Sequence, residues 1–155
     1  MTDVVLPVLD EARAIPSVLA SLPEGFRPIV VDNGSTDRSA AIARRLGAEV
    51  IDEPRRGFGW ACWTGLRAAR SEVVCFMDCD GSLDAGDLLR VTVPVQAGTA
   101  DLCVGERQAE RGAWPLHART ANRVLAWELR RRFGIRLRDP GPMRAAPRER
   151  LLALG

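Results

Sequence analysis

Short apolar runs rich in β-branched residues recur along the chain, separated by stretches with helical spacing. No other feature narrows the fold as much. DVVLPVL (3–9), PIVVDN (28–33), AEVIDE (48–53), EVVCFMD (72–78) and ADLCVGER (100–107) read as strands. IPSVLASL (15–22) reads as a short helix with Pro16 in its first turn, where proline is tolerated. STDRSAAIARRLG (35–47) predicts a helix capped by Ser35 or Thr36 and stopped by Gly47. WACWTGLRAAR (60–70) predicts a third helix, and DAGDLLRVTVPV, after an Asp84 cap, a fourth. Strands alternating with helices predict an α/β sandwich around a mainly parallel sheet, with strands near 3–8, 28–32, 49–52, 72–77 and 101–105.

Parallel sheets present ligand sites at the carboxyl ends of their strands. Acidic residues gather there. Asp10 and Glu11 follow the first strand, Asp32 ends the second, and Asp78 and Asp80 flank Cys79 after the fourth. Acids collected on one edge destabilise a fold unless a ligand or cation uses them. Two carboxylates separated by one residue suit a hard divalent cation such as Mg2+ or Mn2+, which commonly bridges carboxylates to phosphates. Asp and Gly also favour turns, so the DCD triplet by itself reads more readily as turn chemistry than as a cation site.

The chain of 155 residues is about one domain in length. No apolar run approaches the roughly 18 residues of a membrane span, and the N-terminus lacks the basic region and cleavage site of a secretory signal. A cytoplasmic protein is expected. The cysteines (Cys62, Cys75, Cys79, Cys103) form no CxxC pair, and there is one histidine, so small buried thiols are expected rather than zinc ligands or disulfides. Lysine is absent. Residues 1–104 carry 10 arginines and 15 acidic residues, whereas residues 105–155 carry 12 arginines and 5 acidic residues. That asymmetry predicts an acidic or cation-binding half and a half that meets anions. Nucleic acid is disfavoured as a partner, because the basic half contains no recognisable reading motif and the chain has no tyrosine for stacking.

Beyond Arg107, LHARTANRVLAWELRRRFG (116–134) predicts a long helix, followed by an irregular or hairpin segment and a short helix in PRERLLALG. At about 100° per residue, Asn122, Leu125, Ala126, Leu129 and Phe133 form one stripe with Arg119, Arg123 and Arg130 beside it. This is either an ordinary amphipathic helix packed on the sheet or one turned toward an anion or a membrane surface. His117 reads as a structural residue rather than a base.

LPVLDEA (6–12), IVVDNGSTD (29–37), RRGFGWACWTGLRAA (55–69), VVCFMDCDGS (73–82) and DLCVGER (101–107), in this order and spacing, resemble family 2 glycosyltransferases of the GT-A fold. The branch of dolichyl- or polyprenyl-phosphate sugar synthases is the most similar. The resemblance implies a GT-A (Rossmann-like) sandwich over residues 1–155, truncated at its C-terminus, with a nucleotide-sugar half over about 1–107 and an acceptor side over about 108–155. It implies a metal-dependent, inverting hexosyltransferase that uses a UDP- or GDP-linked sugar, with a polyprenyl phosphate as acceptor and contact with the inner membrane face. A saccharide or small soluble acceptor, or an inactive nucleotide-binding fragment, are the alternatives.

Residue by residue, Pro7, Asp10 and Glu11 would line the nucleotide pocket, Asp32 would contact the base, and Arg56 and Gly57 would approach the donor. Asp78 and Asp80 would hold Mg2+ or Mn2+, with Asp78 also at the donor. Arg119, Arg123 and Arg144 would bind the acceptor. Asp139, in DPGPMRA (139–145), is either a general base or a turn-capping aspartate. Asp10 stands where the family commonly has Asn, and Asn33 where a second Asp is frequent.

Overall fold

The computed structural model describes residues 1–106, 131 and 141–154. Strands β1 (Thr2–Val8), β2 (Phe26–Asp32), β3 (Glu49–Asp52), β4 (Val73–Phe76), β5 (Cys103–Val104) and β6 (Arg144–Pro147) form one sheet in the order β3-β2-β1-β4-β6-β5. The first four are mutually parallel. β6 runs antiparallel between β4 and β5. The expected α/β sandwich with a mainly parallel sheet is therefore present.

The described helices are α1 (Ile15–Ser21), α2 (Ser39–Arg45), α3 (Phe58–Ala68), α4 (Leu88–Gln96) and α5 (Arg148–Leu152). They cover both faces of the sheet, which is why its central strands are apolar without interruption. Alternate residues divide between two cores. Val4, Leu6, Val8, Val30, Cys75 and Met77 face the layer of α1, α2 and α4. Val5, Ile29, Val31 and Val74 face Ala61, Leu66 and Ala69 on the α3 side. Gly65 lets α3 lie close on β1, because a Cβ there would stand 2.3 Å from Val5 Cγ1.

Three local expectations need correction. α2 begins at Ser39, with Arg38 before it and no side-chain cap, because Thr36 and Asp37 turn their amides toward Asp10 instead. Asp84 does cap, but over a single 3-10 turn, Ala85–Asp87, that leads into α4. Arg144–Pro147, expected to fall between the end of an irregular or hairpin segment and the start of the final helix, form a strand with neighbours on both sides. Of the predicted helix over 116–134, only Arg131 is among the described residues, and it is helical.

All four cysteines are free thiols. Burial pushes Cys75 and Cys79 up to about 12 and Cys62 up to about 11, which keeps them protonated and inert at neutral pH. At the amino-terminal edge of the sheet, the fully buried Asp3 accepts from Arg27 Nε (2.7 Å) and Nη2 (2.9 Å) and from the amides of Arg70 (2.6 Å) and Ser71 (2.9 Å). Burial alone would raise its carboxyl; these donors outweigh burial and hold it at about 2.

Candidate functional site

The loops after β1, β2, β3 and β4 meet at the carboxyl edge, since Val8 is level with Asp32, and Asp32 with Asp52. Asp32 and Asp78 thus share an edge, as expected. Asp10 adopts φ 59°, a left-handed conformation that Asp tolerates better than most side chains. Its Oδ1 accepts from Thr36 N (2.6 Å) and Asp37 N (3.2 Å), while its own amide donates to Ser35 Oγ (3.0 Å). Glu11 N donates to Ser39 Oγ (2.9 Å) and Ala12 N to Asp37 Oδ2 (3.1 Å). The first two loops are thereby fastened together.

Asn33 fastens the third. Buried at the end of β2, it donates from Nδ2 to the carbonyls of Glu53 (2.9 Å) and Arg55 (2.8 Å) and accepts from Gly57 N (2.7 Å). Gly57 opens α3 at φ 133°, where a side chain would be strained. The buried Glu53 carboxylate accepts from Arg55, through its backbone N, Nε and Nη2, and from Thr64 Oγ1. Those bonds, Arg55 first, hold it at about 2. Arg55 in turn stacks on Trp60, 3.9 Å from the ring centroid.

These loops enclose a cavity of about 480 Å3, within the roughly 300–1,000 Å3 usual for small-molecule sites. Of the residues expected here, Pro7, Glu11, Arg56, Gly57, Asp78, Asp80 and Arg144 line it; Asp10 and Asp32 stand in the adjoining loops and are not on its wall. Asp32 Oδ1 accepts from Ser35 N (3.2 Å). Arg119, Arg123 and Asp139 lie outside the described residues. Asn33, Phe58, Ala61 and Pro142 are wall residues that motif reading did not assign. An amide side chain between a strand end and a glycine was the available signal for Asn33.

Cys79 is buried in the core while Asp78 is half-buried and Asp80 exposed, so the two carboxylates flank an inward thiol and both reach the cavity. Asp80 Oδ1 accepts from Ser82 N (2.9 Å) over a glycine at φ 80°. Burial raises the Glu11 carboxyl, and the neighbouring charges of Asp80, Asp37, Asp10 and Asp78 raise it further. A wall of hard oxygens whose negative charges disfavour one another fits a divalent cation. Among the described residues, no group of three or more His, Cys, Asp or Glu could hold a metal by itself. Ligand oxygens would have to complete the coordination of an ion here. Arg56 and Arg144 on the same wall are suited to phosphate oxygens.

The family model for glycosyl transferase family 2 matches residues 3–147. An uncharacterized glycosyltransferase of Mycobacterium tuberculosis is 47% identical over 153 residues, covering 98% of this chain and 70% of the relative. A dolichyl-phosphate hexose transferase of Haloferax volcanii is 39% identical over 80 residues, covering 50% of this chain and 35% of that protein. The crystal structure of glucosyl-3-phosphoglycerate synthase from Mycobacterium tuberculosis, in complex with Mn2+, UDP-glucose and phosphoglyceric acid, superposes with a TM-score of 0.74 at 29% identity. That match covers 96% of this chain and 57% of the synthase, so the chain spans little more than half of the solved protein.

Proposed function

The chain belongs to glycosyl transferase family 2, and from that premise we propose that it transfers a hexose from a UDP-linked sugar to a polyprenyl phosphate, inverting the anomeric carbon. The observation that carries this reading is the single cavity in which Glu11, Asp78 and Asp80 stand with Arg56 and Arg144. The Mn2+ and UDP-glucose in the similar synthase support the choice of donor and cation.

Asp78 and Asp80 would hold Mg2+ or Mn2+. When bound, the cation neutralises the negative charge that develops on the departing diphosphate. The remaining work falls to the chain. Pro7 closes the wall where β1 and β4 part company; Val5 O accepts from Met77 N, so Pro7, two residues on, lacks its N–H on the same side. Asp10 locks the first two loops into one rim, Asp32 reaches toward the base, and Arg56 and Gly57 approach the diphosphate from the loop that Asn33 holds. Arg144, with Arg119 and Arg123, receives the acceptor phosphate. An acceptor phosphate is already anionic and attacks the anomeric carbon without a base, on the face opposite the leaving diphosphate. Residues 1–107 then form the donor half and 108–155 the acceptor side. Among the described residues no helix is long and apolar enough to cross a membrane. Arg123 and Arg130 are the residues that would meet a lipid surface.

A second reading has its own support. The similar synthase contains phosphoglyceric acid, a small soluble acceptor. Attack by a hydroxyl would call for a base, and Asp139 is the candidate.

The test is calorimetric titration of UDP, UDP-glucose and GDP into the chain with and without Mn2+. Manganese-dependent binding of the uridine ligands is expected in the parent and absent from Asp80→Ala, with an unchanged circular dichroism spectrum. Equal binding by both proteins would refute the cation site.

A further inference from the structure

A second cavity, of about 410 Å3, adjoins the first on the α3 face of the sheet. Its origin lies in how α3 packs. Gly65 draws that helix down onto β1, and it rests on β1 and β2. Over β4 and β6 the same face is covered by the five-residue α5, and a gap remains between the two helices. Phe58, Cys62, Trp63 and Leu66 form the α3 wall, Leu151 the α5 wall, and Phe76 the floor. With its thiol pushed up to about 11 by burial, Cys62 adds no charge at neutral pH.

Arg144 belongs to both cavities, as do Phe58 and Pro142. It pairs with Phe76 across β4 and β6, which puts both side chains on the same face of the sheet. A long aliphatic stem can lie along apolar surface while its charged head turns to the polar side. The junction therefore offers an apolar slot, one guanidinium, and the acid-bearing cavity beyond it.

We propose that this apolar cavity is the subsite for the hydrocarbon chain of a lipid-phosphate acceptor, whose phosphate Arg144 holds at the junction. The proposal rests on the donor reading of the first cavity. An acceptor must place its attacking oxygen inside that cavity, and the body attached to the oxygen then extends into the space alongside. A polar body such as a glycerate would give up hydration to walls with little to offer in return. A prenyl chain gains about fourfold in affinity for each methylene it buries. The guanidinium matches phosphate geometry and charge.

The experiment titrates isopentenyl phosphate, farnesyl phosphate and 3-phosphoglycerate, each below any micellar concentration, into the full chain with UDP and Mn2+. Farnesyl phosphate is expected to bind at least about tenfold tighter than isopentenyl phosphate, a fraction of the gain that full burial of the added methylenes would give. Cys62→Phe, at a position that lines the apolar cavity and not the first one, should abolish that chain-length preference and leave UDP affinity at the parent value. Leu102→Trp, at an exposed position on the same cavity, repeats the test if the first variant does not fold. Arg144→Ala should weaken both prenyl phosphates together. Equal affinity for the two prenyl phosphates, or a preference that survives both filling variants, overturns the proposal. So does tighter binding of 3-phosphoglycerate than of farnesyl phosphate, or a dimer of the chain that Cys62→Phe dissociates. A parent that binds UDP but shows no chain-length preference removes the subsite alone; one that binds neither removes the donor reading with it.

Discussion

Replacing Gly65 by alanine tests the seat of α3, and the answer depends on which of two opposed effects is larger. Alanine is favoured over glycine inside a helix by about 1 kcal/mol. Against this, the new Cβ would stand 2.3 Å from Val5 Cγ1, 3.0 Å from Val5 Cγ2 and 3.1 Å from Val31 Cγ2. Carbon atoms rest at roughly 3.5–4.0 Å. Both valines are fully buried in neighbouring parallel strands and cannot turn aside into solvent. Overpacking costs about 1–3 kcal/mol, and an overlap of this depth against a rigid sheet belongs at the upper end. The net expectation for Gly65→Ala is a loss of about 2 kcal/mol, or a melting temperature lower by about 4–8 °C in a chain of this length. Urea and thermal melts followed by circular dichroism measure it. Val5→Ala removes the obstructing methyls, so in the Gly65→Ala background it should cost at least about 1 kcal/mol less than in the parent. A Gly65→Ala protein as stable as the parent, or strictly additive double-mutant behaviour, would refute the close seat of α3 on β1.

Two further outcomes are expected. The Asp3 carboxyl lies at about 2 when folded against an ordinary 3.8, so the unfolded chain takes up its proton first; its contribution to stability is complete above about pH 4 and disappears as the pH falls toward 2. Asp3→Asn should flatten that part of the pH–stability curve and cost about 2 kcal/mol at neutral pH, less than a fully buried pair because Arg27 is partly exposed and screened; urea melts at pH 5 and pH 2.5 read both effects. Asn33→Asp keeps the acceptor for Gly57 N but sets carboxylate oxygen against the carbonyls of Glu53 and Arg55. Leaving such groups unmatched costs about 1–3 kcal/mol, so urea melts should show a stability loss in that range, and unchanged stability would refute the clasp of Asn33 on that loop.

The parallel half of the sheet was legible because its strands are β-branched runs buried on both faces and halted by acids: DVVLPVL, PIVVDN and EVVCFMD carry their own boundaries. β6 was not, because RAAP has no β-branched residue and includes a proline; what makes it a strand is the pair of neighbours waiting for it. α2 starts later than STDRSAA suggests for a similar reason. Thr36 and Asp37 have the composition of a cap, but Asp10, 26 residues earlier in sequence than Thr36, competes for their amides. Motif spacing located Glu11, Asp78 and Asp80 on a common wall. It had no means of finding the partition between an acid-bearing and an apolar cavity, since Arg144 joins the two only through its register opposite Phe76.

The antiparallel insertion of β6 also orders events in time. β1, β2, β3 and β4 assemble from consecutive strands joined by short crossovers, and nothing prevents them from pairing while the rest of the chain is still being synthesised. The outer edge of β4 must wait for a partner roughly 70 residues further on, a closure whose entropy cost is met only when β6 docks. Until then Val73–Phe76 presents an unpaired strand edge, the kind of surface through which nascent chains stick to one another. β5 likewise has no hydrogen-bonded neighbour in the sheet before β6 arrives. Arg144 travels on that late strand, so an immature chain has Glu11, Arg56, Asp78 and Asp80 in place before the residue that joins the two cavities.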